Sequence, residues 1–115
     1  MANKKVTYVF DIDGTICTKT DGDYESAEPL TDRINMVNKL YDEGHRIVFQ
    51  TARGMGRSAN NIGYANRAFY NLTRQQLIEW GVKFHSLFLG KPAGDFYIDD
   101  KGIRDEDFFR NELRP

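Results

Sequence analysis

Apolar residues fall along this chain in short runs, with longer amphipathic stretches between them. Val6 to Phe10 is rich in β-formers and predicts a first strand. The polar stretch from Ile16 to Glu28, which contains TKTDGDYESAE, reads as a loop or flap. Ile34, Val37, Leu40 and Tyr41 recur at helical spacing, with Thr31 as the expected cap and Gly44 as the stop. RIVFQ, Arg46 to Gln50, predicts a second strand. The middle, ARGMGRSANNIGYANRAFYN, has no clean period, and only ANRAFY within it suits a helix. TRQQLIEWG is clearer: Thr73 and Gln76 read as a capping box and Gly81 as the helix end. Ser86 to Leu89 predicts a third strand and Phe96 to Ile98 a short fourth. DEDFFRNEL reads as a closing helix with acidic residues in its first turn.

Strands that alternate with helices argue for an α/β fold: a three-layer, Rossmann-like, mostly parallel sheet with helices on both faces. No internal repeat or domain boundary is visible, so residues 1–115 read as one domain. Right-handed crossovers bring the strand ends to one edge. Ligands of open α/β sheets bind at that edge. The residues after each strand therefore carry the information: Asp11 and Asp13, then Thr51, then Gly90 and Lys91, then Asp99 and Asp100.

Composition narrows the partners. The formal net charge is -1, which provides no broad basic field for nucleic acid or an anionic membrane. No run approaches the roughly 20 apolar residues that span a bilayer. MANKKVTYVF lacks the apolar region of a signal peptide, so the expected location is cytoplasmic. Cys17, alone in the chain, has no internal disulfide partner and reads as a small residue near a turn. His45 and His85 stand away from the strand ends, so a structural or solvated role is expected for both. Trp80 is expected in the core.

The strand-end inventory is carboxylates, one hydroxyl and one lysine. Read alone, DIDG suits a turn and Asp99–Asp100 a solvated cap. DIDG also opens a calcium-loop pattern, but no glutamate closes it. Magnesium takes oxygen ligands and often uses one or two carboxylates beside phosphate and water. Asp11 with Asp99 or Asp100 fits that habit. An aspartate next to a bound phosphoryl group can attack phosphorus. A second acid can protonate the leaving oxygen and then activate water, and Asp13 is placed to do so. Lys91 and the cation would balance the charge in transit.

Order and placement together make the resemblance specific. A strand followed by Asp11-Ile12-Asp13-Gly14-Thr15, a second strand ending at Thr51, Lys91 in LGKP, and Asp99–Asp100 in FYIDD stand in the order of the haloacid dehalogenase superfamily. The chain resembles that family from residue 5 to about 104, and most members are phosphatases. The resemblance implies Mg2+ as cofactor, Asp11 as nucleophile and metal ligand, and Asp13 as general acid/base whose carbonyl also meets the metal. It implies phosphate-orienting roles for Thr51 and Lys91, direct metal contact for Asp99, and a supporting place for Asp100. TARGM and FLGKPAGDFYIDDK look closer still to small phosphatases of bacterial capsule and surface-polysaccharide biosynthesis. That likeness implies a phosphorylated sugar or polysaccharide precursor as substrate class.

Too few residues lie between Thr51 and Ser86 for a large cap domain. An open site is expected, covered by loops, by a bulky substrate or by a second copy of the chain. Gly14 is expected to turn the chain beside the phosphate. Arg53, Arg57, Tyr64 and Arg67 are candidates for the leaving group, with Arg53 foremost, and Tyr24 is a candidate from the flap. The rival readings are a catalytically inactive binding protein on this fold, a phosphotransferase and a receiver-like phosphoacceptor.

Overall fold

The computed structural model describes residues 4–113. Three parallel strands form one sheet in the order β1-β2-β3: β1 (Thr7–Phe10), β2 (Arg46–Thr51) and β3 (Ser86–Leu89). Phe10 pairs with Phe49, Phe49 with Leu87, and Thr51 with Leu89. Parallel neighbours require long crossovers. Helix α1 (Thr31–Asp42) supplies the first and α2 (Ile62–Glu79) the second. Helix α3 (Asp105–Leu113) closes the chain. The result is an α/β, Rossmann-like, parallel sheet flanked by helices. Among the described residues only two single turns, Tyr24–Ser26 and Gly56–Ser58, accompany these elements, so the fold has no large cap domain.

The period-2 pattern sets one face of the sheet inward. Phe10, Ile47, Phe49, Leu87 and Leu89 are buried on it. Helix α1 answers with Ile34, Val37 and Leu40, α2 with Leu77, and α3 with Phe109. Stacked and tilted rings bind α3 to β1: Phe10 lies 6.0 Å from Phe109, and Tyr8 5.8 Å from Phe108. On the opposite face Val9 is 55% exposed. Both histidines are structural. His45 Nδ1 accepts from Val6 N, and His85 Nδ1 accepts from Ile47 N at 3.0 Å. Trp80 packs against the core. Among the described residues no helix is long and apolar enough to cross a membrane.

Local expectations fail at three places. Thr31 does not cap α1: Leu30 holds the cap position, its carbonyl accepts from Arg33 and Ile34, and no side chain caps the helix. Thr73 and Gln76 are not a capping box, because the helix begins eleven residues earlier than Thr73, at Ile62. Asn61 is its cap, with Oδ1 accepting from Tyr64 N at 2.9 Å. Ala59 and Asn60 precede it with φ of 54° and 62°, which breaks the chain away from the preceding turn. Phe96 to Ile98 does not form a fourth strand, and Ile98 is 94% exposed. A three-residue run between Gly94 and the Asp99–Asp100 pair offers few ladder bonds to hold it on a sheet.

Phe49 sits wholly buried at the centre of the sheet and contacts Phe10 and Phe84. Phe49→Ala is expected to cost about 3–5 kcal/mol. Urea unfolding followed by circular dichroism checks this, through a lowered midpoint at an unchanged slope.

Candidate active site

The first site element follows from how the chain leaves β1. Thr15 N and Ile16 N both donate to Ile12 O, at 3.0 and 2.9 Å, and fold the backbone into a tight turn. Ile12 points into the core. Asp11 and Asp13, one residue to either side of it, both line an open crevice of about 230 Å3. Gly14 makes the turn at φ 80°, a region that side chains disfavour. A Cβ there would also lie 2.6 Å from Lys19 Cε.

Thr51 ends β2 and lines the same crevice, although the residue is only 1% exposed. Its Oγ1 accepts from Arg53 N at 3.1 Å. Lys91 follows β3 and is tied to β2, donating its N–H to Thr51 O at 3.2 Å. Its Nζ stands 3.8 Å from Asp11 Oδ1 and 4.1 Å from the centre of the Tyr97 ring. Burial pushes the Asp11 carboxyl above its ordinary range, and Lys91 pulls it part of the way back. The neighbouring Asp13 adds to the rise, while Lys19 and the N–H of Ile12 oppose it. At 3.8 Å the lysine makes a charge contact without a hydrogen bond. Asp11 is thus a partly buried carboxylate, its side chain 37% exposed, whose charge is incompletely compensated.

Asp13 is held differently. Arg53 Nε donates to its Oδ2 at 2.9 Å and Nη2 to its Oδ1 at 3.0 Å. The arginine side chain is 0% exposed and that of Asp13 is 23% exposed. Arg53 lines the floor of the crevice, yet its hydrogen bonds all run to the protein. Tyr24 is also in the wall. Its hydroxyl accepts from Gly54 N at 2.9 Å, and its ring lies 4.9 Å below the Arg53 guanidinium carbon. Arg57 braces the flap by donating to Gly22 O at 2.8 Å, with its guanidinium over Tyr24 and Phe69. Tyr64 packs towards Phe69, and Arg67 is exposed on α2; neither lines the crevice.

The structure does not bring all four strand-end positions together. Asp99 and Asp100 are exposed. Asp99 Oδ1 accepts from the N–H groups of Lys101 and Gly102 at 2.7 and 2.6 Å, which holds its carboxyl below the usual range. Among the described residues no group of three or more His, Cys, Asp or Glu is placed to hold a metal ion. Sequence reasoning missed Lys19, Thr20, Asp21 and Gly22, which complete the crevice from the flap. Thr20 Oγ1 is buried there without a hydrogen-bond partner among the described residues. No periodicity marks these residues, because an irregular loop carries them.

No family model and no curated protein gives a significant match to the chain. Solved structures do resemble it. A structural-genomics target from Vibrio cholerae superposes with a TM-score of 0.83 at 29% identity, over 92% of this chain and 88% of that one. A D,D-heptose 1.7-bisphosphate phosphatase from B. bronchiseptica, complexed with magnesium and phosphate, superposes with a TM-score of 0.53 at 17% identity. That match spans 80% of this chain and 52% of the phosphatase, and it is a likeness of fold.

Cys17 is buried beneath Asp13, and its thiol is pushed up to about 12, chiefly by burial and then by the Asp13 charge. Only the thiolate reacts with alkylating agents. Native protein at pH ~8 is expected to leave Cys17 unmodified by iodoacetamide, whereas protein in guanidinium is labelled fully. Intact-mass spectrometry reads the difference.

Proposed function

We propose that the chain is a Mg2+-dependent phosphomonoester hydrolase of the haloacid dehalogenase superfamily that works through an aspartyl-phosphate on Asp11. One observation carries the reading: Asp11 and Asp13 leave the same strand side by side and share a crevice with Thr51, beside the Lys91 ammonium. The fold likeness to a phosphatase complexed with magnesium and phosphate supports it. The orphaned Thr20 hydroxyl in the crevice wall suits a polar ligand.

In this reading Asp11 attacks phosphorus, and the bond from phosphorus to the leaving oxygen breaks. Asp13 gives that oxygen a proton. Water then attacks the phosphoryl group, Asp13 takes its proton, and the bond from Asp11 to phosphorus breaks to release orthophosphate. Lys91 and the Thr51 hydroxyl orient the phosphoryl oxygens. The partly buried, partly compensated Asp11 carboxylate fits a divalent cation, which Asp11 and the Asp13 carbonyl would hold with Asp99, supported by Asp100. When bound, the cation screens carboxylate from phosphate and stabilises the charge that develops on the transferring group.

Asp99 and Asp100 reach the crevice, in this proposal, when Phe96–Ile98 docks as a fourth strand on β1. That strand pairs with β2 alone, so its other edge has no strand partner among the described residues. Phe96 and Ile98 are strongly exposed in the undocked arrangement, which leaves apolar area to be gained. A phosphorylated sugar or polysaccharide precursor is the proposed substrate class, and the cytoplasm the proposed location. A bulky substrate or a second copy of the chain would cover the capless crevice.

The test is phosphate release from an aryl phosphate with magnesium and with chelator. Asp11→Asn is expected to lower kcat by at least about 10³-fold, the scale of losing a covalent nucleophile. Equal rates in wild type and variant would remove Asp11 from the chemistry, and silence across a wide phosphomonoester panel would favour a binding protein. Magnesium with orthophosphate is also expected to protect the amides of Phe96–Ile98 from hydrogen exchange. Exchange unchanged by the additions would sink the docking step.

A further inference from the structure

Arg53 presents a chemical puzzle that the phosphatase reading leaves open. It stands two residues past Thr51, where a cation that grips phosphate would be useful. Yet every one of its five donors is already taken. Nε and Nη2 hold the two oxygens of Asp13. The second hydrogen of Nη2 faces Cys17 Sγ at 4.0 Å. Nη1 donates to Thr73 Oγ1 at 3.2 Å and to Gln76 Oε1 at 2.6 Å. Gln76 in turn donates from Nε2 to Tyr24 O at 2.7 Å, and the Tyr24 ring covers the guanidinium. No donor remains for a ligand.

We infer that Arg53 is a positioning residue for Asp13, and that Thr73 and Gln76 on α2 hold Arg53 in that role. The geometry supports this directly. A two-point grip fixes the plane of a carboxylate, which a single hydrogen bond or a lysine does not. Asp13 keeps its open side towards the crevice while Arg53 holds it from the buried side. Thr73 and Gln76 are buried polar residues inside a helix, and Arg53 accounts for both. Helix α2 thereby governs where a proton is given and taken, although Thr73 and Gln76 do not line the crevice. The inference rests on the proposed function, in which Asp13 handles that proton.

The experiment is a double-mutant cycle with Asp13→Asn and Arg53→Lys, read on two substrates. A hexose phosphate needs its leaving oxygen protonated; 2,4-dinitrophenyl phosphate does not. Arg53→Lys is expected to lower kcat on the hexose phosphate by about 10²-fold, the scale of general acid–base catalysis. The burst of dinitrophenolate should stay within about twofold of wild type, and KM should hold. Adding Arg53→Lys to Asp13→Asn should cost no further rate. Additive losses, a burst that falls as far as kcat, or a risen KM would overturn the inference. Should Arg53→Lys melt below the assay temperature, Thr73→Val and Gln76→Leu run the same cycle from the α2 side. Wild type that shows no Asp11-dependent hydrolysis removes the phosphatase reading and this inference with it. Asp11-dependent hydrolysis with an additive cycle removes this inference alone.

Discussion

A guanidinium taken wholly out of water must find a carboxylate and enough acceptors for its donors, or the chain will not bury it. Arg53 meets that demand with Asp13 in front, Thr73 and Gln76 behind, and the Tyr24 ring on one face. These partners come from β1's exit turn, from α2 and from the flap. The single ion pair therefore joins three segments that the sheet alone would leave independent. Removing one member of a buried pair typically costs about 3–5 kcal/mol, because the other charge is left stranded. Asp13 is partly exposed, so its side of that cost is smaller; the cost falls mainly on the arginine.

The two aspartates of the first turn are consequently unlike each other. Asp13 is fully matched by a hydrogen-bonded cation. Asp11 has no such grip: it is partly buried, stands beside that same negative charge, and has Lys91 only at 3.8 Å. A carboxylate in that state has the stronger claim on an incoming positive centre, whether a metal ion or an electrophilic phosphorus. The asymmetry does not come from the residues themselves, which are chemically identical. It comes from which side of Ile12 the buried arginine lies against.

The sheet was legible because its signals are local. Ser86 to Leu89 and Asp105 to Leu113 match the elements their patterns predict, and the three strands lie within a residue of their expected limits. Asp11, Asp13 and Thr51 are found together in one crevice, with Lys91 beside it, because parallel strands end at one edge. What escaped were the partners set by tertiary contact. Thr73 and Gln76 look like a capping box by spacing alone, and only the approach of Arg53 from the end of β2 shows why two polar residues are buried mid-helix. Arg53 itself has the sequence signature of a ligand-gripping residue. Nothing along the chain tells that its acceptors lie 20, 23 and 40 positions away.

The same logic separates two halves of the strand-end cluster. Lys91 is one residue beyond Gly90 and is pinned to β2 by the bond from its N–H to Thr51 O, so the sheet alone fixes the lysine and the hydroxyl relative to Asp11. Asp99 and Asp100 lie farther along the same segment, past Pro92 and Gly94, with no ladder to fix them. Their positions depend instead on bonds made within the segment, such as those from Lys101 and Gly102 to Asp99. Gathering two more carboxylates beside Asp11 and Asp13 would add repulsion that short backbone pairing alone is poorly able to offset. The sheet ties Lys91 to Thr51 but makes no bond to the acidic pair, and that difference divides the cluster into a half fixed by the sheet and a separately held acidic half.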